Sequence, residues 1–304
     1  MLVLMLCSGI MVACWQAYAG YSKDFKYTAY TFIFFISVIA SFLLCPLIYK
    51  KTIEYKIKNA LKKKKIYPLI QPIVCADTGK IVGGEVLMRW RISEGELVPP
   101  ELFIPIAESN GMIKLITTET FRTITKAFFV HNNIFKENII IFFNVSSANF
   151  EDEKLLNDCN VAAEILHRYN VNIGLEVTER TFIEGNACTR HITEELRRAG
   201  VVIALDDFGT GNSNYLYIKQ FEPNFIKIDK AFISEIDTDK FSKTTVQSML
   251  LLGKGLECRI VAEGIETESQ KKVLLEMGVD YLQGYLFSKP IPLSEFFDKV
   301  KGNN

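Results

Sequence analysis

Short apolar runs of strand type recur between residues 66 and 284. They read IYPLIQPIVC (66–75), IVGGEVLMRW (81–90), NIIIFFNVS (138–146), NIGLEVTE (172–179), VVIALDD (201–207), FIKID (225–229), RIVAEG (259–264) and DYLQG (280–284). Longer stretches of helical composition separate most of them, among them Ala162–Tyr169, Ile192–Ala199 and Ser242–Leu256. Parallel strands need a crossover long enough to hold a helix, so this alternation predicts a parallel α/β sheet. About eight such units predict a closed (β/α)8 barrel of TIM type over residues 66–304. The first two runs are joined only by Ala76–Lys80, too short for a crossover. That pair is expected to be antiparallel, which makes the barrel a modified one.

Each run also carries or ends in a polar residue: Glu85, Asn144, Glu176, Asp206 with Asp207, Lys227, Glu263 and Gln283. A single acidic residue after a strand commonly caps the next helix. Seven runs behaving alike point instead to the C-terminal strand ends, where barrel enzymes build their sites. Five carboxylates at one mouth cannot stay bare. Two unit charges ~4 Å apart repel by about 4 kcal/mol at an effective dielectric of 20. Either some are protonated or cations sit among them. Carboxylates plus one amide oxygen, without His or Cys, suit Mg²⁺ or Mn²⁺ better than zinc. Asp206-Asp207 could bridge two such ions, an arrangement that activates water and stabilises phosphoryl charge. Lys227 alternates with Phe225, Ile226 and Ile228, so it is expected to point inward, as a participant or as a counter-ion.

Composition narrows the remaining classes. The 49% hydrophobic content supports a sizeable core and argues against wholesale disorder. Basic and acidic residues balance at 35 each, so no global field favours a DNA or RNA duplex as partner. Cys7, Cys14, Cys45, Cys75, Cys159, Cys188 and Cys258 are scattered without a C-x-x-C pair, which speaks against a disulfide scaffold or a structural zinc site.

The first 65 residues differ from the rest. Tyr30–Tyr49 (YTFIFFISVIASFLLCPLIY) has no charge and, at ~1.5 Å per residue, is long enough for a hydrocarbon core of about 30 Å. Eight lysines follow: Lys50, Lys51, Lys56, Lys58 and Lys62–Lys65. By the positive-inside rule this predicts a membrane region over residues 1–49 with helices at about 2–19 and 30–49. The barrel would then lie on the cytoplasmic side of a bacterial inner membrane. Residues 2–19 have two other readings, a signal peptide ending at Ala17-Tyr18-Ala19 or the remnant of a larger outer domain. Residues 50–65 read as a basic juxtamembrane helix, with Ile53, Ile57 and Leu61 on one side and lysines able to meet lipid.

Beyond these readings, the chain resembles the EAL-domain family of cyclic di-GMP phosphodiesterases from about Lys51 to Val300. The matching segments are QPIV (71–74), EVLMRW (85–90), FIPIAESNGMI (103–113), NVSS (144–147), LEVTER (175–180), ALDDFGTGNSNY (204–215), IKIDKAFI (226–233), VAEGIET (261–267) and QGYLFSKPIP (283–292). The resemblance implies a barrel with one reversed strand and hydrolysis of cyclic di-GMP to linear pGpG with two divalent cations. It implies Glu85, Asn144, Glu176 and Asp206 as ligands of one ion, and Asp206, Asp207 and Glu263 as ligands of the second. Lys227 matches the lysine that orients the attacking water, Gln283 a residue supporting the site, and Glu179 the anchor of the DDFGTG loop. Arg89 matches a phosphate contact, and Gln71 belongs with it on the substrate side. A homodimer through the barrel is implied as well.

Departures from the family pattern lie at Val86, Ile70, Asn212, Asn214 and Tyr215. The last three fall in the loop after Asp207 and bear on rate and regulation. A rival reading is a catalytically weak module of the same fold that binds the nucleotide or another protein. Another is a two-metal barrel hydrolase acting on a different phosphodiester.

Overall fold

The computed structural model describes residues 23–131, 135–151, 153–178, 187–210 and 215–302. The strands are β1 (Ile66–Cys75), β2 (Ile81–Ser93), β3 (Glu96–Val98), β4 (Ile139–Val145), β5 (Val171–Thr178), β6 (Val202–Phe208), β7 (Phe225–Ile228), β8 (Arg259–Ala262) and β9 (Tyr281–Leu282). They form one sheet in the order β1-β9-β8-β7-β6-β5-β4-β2-β3, and a further β1–β2 pairing closes it into a ring. With β3 hanging outside on β2, the ring is an eight-stranded barrel. β2, β4, β5, β6, β7, β8 and β9 run parallel, while β1 is antiparallel to both its neighbours. The five-residue connection Ala76–Lys80 leaves no other choice for β1.

The helices are α1 (Lys23–Lys62), α2 (Pro100–Ser109), α3 (Ile113–His131), α4 (Lys154–Leu166), α5 (Ala187–Arg198), α6 (Tyr215–Phe221), α7 (Lys230–Ile233), α8 (Lys240–Gly255), α9 (Glu268–Met277) and α10 (Leu293–Gly302). Local chemistry sets several boundaries. The Asp239 carboxylate accepts from Ser242 N at 2.7 Å and starts α8. Thr267 and Gln270 exchange side-chain and backbone bonds in a capping box that starts α9, and Gly278, at φ 81°, ends it.

Residues Met1–Asn59 and Ala60–Asn304 are two compact units, the barrel belonging to the second. The membrane placement expected from residues 1–49 is corrected: among the described residues no helix is long and apolar enough to cross a membrane. The inner-membrane localisation inferred from those residues falls with it. Residues 2–19 lie outside the described residues. The basic helix expected at 50–65 is the C-terminal part of α1, which stops at Lys62.

The barrel wall is buried on both sides. Its outer face joins the helices in one core, where Phe121 of α3 stacks on Phe143 of β4 at 4.1 Å between ring centroids. Inside the ring, Ile73, Phe142, Ala204, Phe225 and Val261 form a separate apolar plug. The Phe142 ring occupies the space over Gly174 of β5, where an added Cβ would lie 2.3 Å from Cδ1. No side chain fits there unless the ring moves. Gly174→Val is therefore expected to destabilise the barrel by about 1–3 kcal/mol through overpacking, read from urea unfolding midpoints. Pairing it with Phe142→Ala should recover part of the loss. Equal stabilities of Gly174→Val and the native chain would show that the plug is not packed this way.

Candidate active site

Side chains two residues apart on a strand share a face. Two positions beyond the plug residues Phe142, Ala204, Phe225 and Val261 stand Asn144, Asp206, Lys227 and Glu263. The same step leads from Gly174 to Glu176. On β1 the step reverses, because the strand runs the other way: Gln71 precedes Ile73 by two, and it pairs directly with Glu85 of β2. A polar layer thus caps the apolar plug at the C-terminal ends of the parallel strands. Period-two alternation alone places these residue types there.

At the centre of the layer is Lys227, only 1% exposed. Its Nζ lies 2.6 Å from Glu176 Oε1 and 2.6 Å from Glu263 Oε1. Glu85 Oε2 and Asp206 Oδ1 are each 3.3 Å away. Gln283 Nε2 donates to Glu85 Oε2 at 2.8 Å, and Asn144 Nδ2 donates to Glu85 Oε1 at 3.0 Å. Gln71 Nε2 donates to the Ser288 carbonyl at 3.2 Å, tying β1 to the segment after Gln283. The end of β4 is held by Asn149, whose Oδ1 accepts from Ser146 N at 3.0 Å. Glu263 is followed by Gly264 at φ 71°, where a Cβ would strike Lys230 Cβ at 2.1 Å. Only glycine lets the chain turn away there and leave Glu263 in the mouth.

Burial and mutual repulsion divide the titrations. Burial disfavours a charge on Glu85, but the Lys227 ammonium and the bonds from Asn144 and Gln283 outweigh it and hold its carboxyl below the usual range. Glu176 is pushed well above that range by burial and by the charge on Glu85. Burial also raises Asp206, and it pushes Glu263 up to about 8. Burial would lower Lys227, yet the surrounding carboxylates hold it well above its ordinary value.

Asp206 and Asp207 straddle an irregularity in the sheet: between Leu205 and Phe208 β6 spends three steps where β7 spends two. Asp207 occupies the extra position at φ 54°. The bulge breaks the alternation that would otherwise send neighbouring aspartates to opposite faces. Asp207 is half-buried and is not among the groups around Lys227. Its carbonyl accepts from Thr210 N and Oγ1, which starts the following loop. Arg89 also stands apart from the carboxylates, with Nη1 donating to the Met88 carbonyl. It lines a cavity beside Asn144, walled by Met88, Ile104, Glu108, Thr117 and Thr120. The EVLMRW, FIPIAESNGMI, NVSS and LEVTER segments all contribute to this cavity, while Thr117 and Thr120 of α3 had no sequence signal. Glu179 and Asn212 lie outside the described residues.

Four carboxylates share one ammonium, a formal excess of three negative charges if all ionise. Glu176 Oε2 is buried without a hydrogen-bond partner, as is Gln283 Oε1. Among the described residues no three of His, Cys, Asp or Glu are spaced to hold a metal ion. The donor set is nevertheless all oxygen, short of positive charge, and contains orphaned acceptors. It fits a hard divalent cation.

Comparison with known proteins agrees with this geometry. The EAL domain family matches residues 54–290. The cyclic di-GMP phosphodiesterase PdeL of Escherichia coli K12 is 35% identical over 243 residues, covering 80% of this chain and 67% of PdeL. PdeN of the same organism, a probable cyclic di-GMP phosphodiesterase, is 34% identical over 81% of this chain but only 47% of its own length. Thus the chain spans about half of some curated relatives. Among solved structures, the PaMucR phosphodiesterase in complex with c-di-GMP is 32% identical, with a TM-score of 0.67 over 81% of this chain and 99% of that one. A closed barrel with one reversed strand, a carboxylate layer at its mouth and a match over most of its length place this chain in the EAL domain family.

Proposed function

We propose that the chain hydrolyses cyclic di-GMP to linear pGpG. The observation that carries this reading is the buried layer in which Glu85, Glu176, Asp206 and Glu263 converge on Lys227. In this reading Glu85, Asn144, Glu176 and Asp206 hold one divalent cation, and Asp206, Asp207 and Glu263 a second, either Mg²⁺ or Mn²⁺. Bound there, such ions would supply Lewis-acid activation of water and neutralise charge on the phosphoryl oxygens.

The chain's own groups do the rest. Lys227 has three donors, and its ammonium is fixed by a wall of carboxylates, so it can hold a water oxygen in one orientation. Attack of that oxygen on phosphorus breaks the bond to the 3′ oxygen, which leaves as a hydroxyl with a proton from the water. Gln283 and Asn144 hold the Glu85 carboxylate in place. Arg89, at the edge of the adjoining cavity, contacts a phosphate, with Gln71 on the same strand pair. Glu179 anchors the loop after Asp207, and a homodimer through the barrel completes the reading, supported by the LEVTER and DDFGTG segments.

The decisive assay incubates the chain with cyclic di-GMP and Mg²⁺ or Mn²⁺ and resolves the products by chromatography. Linear pGpG is expected, and Glu85→Ala should reduce its formation by several orders of magnitude. Binding without turnover would favour the nucleotide-binding module instead. Arg89→Ala is expected to raise KM more than it lowers kcat, by the roughly 1.5–3 kcal/mol of a charge-assisted contact. An unchanged KM would remove Arg89 from the phosphate site. Divalent cation at about 100 times its Kd should raise the melting temperature of chelator-treated protein by about 5–10 °C, because it binds only the folded state. A full shift retained in Glu176→Gln would place the cation elsewhere.

A further inference from the structure

The β1–β2 pair outgrows the barrel. Parallel pairing of β2 with β4 ends at Val86, but β2 continues beside β1 as far as the Ile66–Trp90 pair, and Arg91 N donates to the Lys65 carbonyl beyond it. Leu87–Arg91 and Lys65–Leu69 therefore form a ribbon, joined at its upper end by β3, that rises above the rim on the catalytic side. Gln71 and Glu85 face the barrel interior, and alternation carries that face up the ribbon through Leu69 and Leu87, Tyr67 and Arg89, then Lys65 and Arg91. Arg91 lies over the Tyr67 ring, 4.9 Å from its centroid, and donates to its hydroxyl at 2.9 Å. Lys65 Nζ donates to the Ile92 carbonyl at 2.7 Å. Lys62, Lys63 and Lys64 follow on the same end, all exposed, with Lys64 turning the chain at φ 53°.

What sets these cations apart is that they cluster on one ribbon above the mouth. Some surface cations elsewhere sit against carboxylates, as in Lys80–Glu137, Arg197–Glu222 and Arg259–Asp280. Among the described residues, none of Lys62, Lys63, Lys64, Lys65, Arg89 or Arg91 makes an ion pair. Glu94 and Glu96 are the acids at the ribbon tip, and Glu96 accepts from Ser93 Oγ instead. A substrate with two phosphodiesters carries two negative charges, which exposed cations above the mouth attract. At ~3.3 Å per residue the lysines stand about 20 Å from the Gln71–Glu85 level, near enough to act at low salt, where the Debye length reaches about 30 Å.

We propose that the ribbon is an electrostatic capture arm, in which Lys62–Lys64, Lys65 and Arg91 draw a dianionic dinucleotide over the carboxylate mouth towards Arg89. This rests on the cyclic di-GMP reading of the site. The arm acts on encounter and leaves the chemical step alone.

The test measures kcat and KM for cyclic di-GMP with the full chain from about 0.01 to 0.5 M ionic strength. It compares the native chain, a Lys62→Gln, Lys63→Gln, Lys64→Asn triple variant, and Arg91→Gln. Lys65 is left in place because it ties the ribbon to Ile92. The triple variant should keep its kcat and lose about tenfold in kcat/KM at the lowest salt, the gap closing to within about twofold at the highest. Arg91→Gln should lose less, in the same salt-dependent way. Parallel salt dependences in native and variant chains, or a loss of kcat at every salt, would overturn the arm while leaving the reading of the site intact. A native chain that turns over no cyclic di-GMP would overturn both.

Discussion

One ammonium inside a closed ring of strands holds the site together. Lys227 has almost no contact with solvent, and isolating a charge there would cost several kcal/mol without close partners. Four carboxylates from β2, β5, β6 and the end of β8 meet that need, and each of them in turn needs the ammonium. Neither side of the cluster is tolerable alone. β5, β6, β7 and β8 are neighbours in the sheet, but Glu85 on β2 reaches Lys227 from the opposite side of the ring, so the full cluster exists only once the barrel has closed. Closure of the sheet and assembly of the site are the same event.

The excess of negative charge explains the division of labour among the amides. Gln283 and Asn144 both donate to Glu85 and, with the Lys227 ammonium, hold its carboxyl below the usual range, while burial raises Glu176 and Glu263. The sheet irregularity at Asp206-Asp207 has its own effect: a regular strand would separate the two aspartates onto opposite faces, and the extra residue at positive φ removes that constraint.

The reversed direction of β1 reaches further than its own pairing. A parallel first strand would start at the opposite end of the barrel and carry Lys62–Lys65 away from the site. Running antiparallel, β1 begins on the catalytic side, meets Glu85 with Gln71, and leaves the lysines beside Arg91. A five-residue connection between two strands thereby decides where the basic end of the barrel domain lies.

Much of this was legible before any coordinates. The eight apolar runs lie within a few residues of the observed barrel strands, and the short Ala76–Lys80 link announces the antiparallel pair, because strand periodicity and crossover length are local properties of the chain. The inward polar layer was also visible, since period two marks which residues share a face. Residues 30–49 show the limit of such reasoning. An uncharged run reads as a membrane span from composition, yet no described helix meets the requirement. Tertiary structure alone decided that Lys227 would take four carboxylate partners, that Arg89 would stand apart beside a cavity walled by Thr117 and Thr120, and that the unpaired lysines would share a ribbon with Arg91. These are contacts between residues tens to about two hundred positions apart, as Gln283 and Glu85 are. Sequence determined which side chains face inward, because that is fixed residue by residue. Which of them touch was decided by closure of the ring.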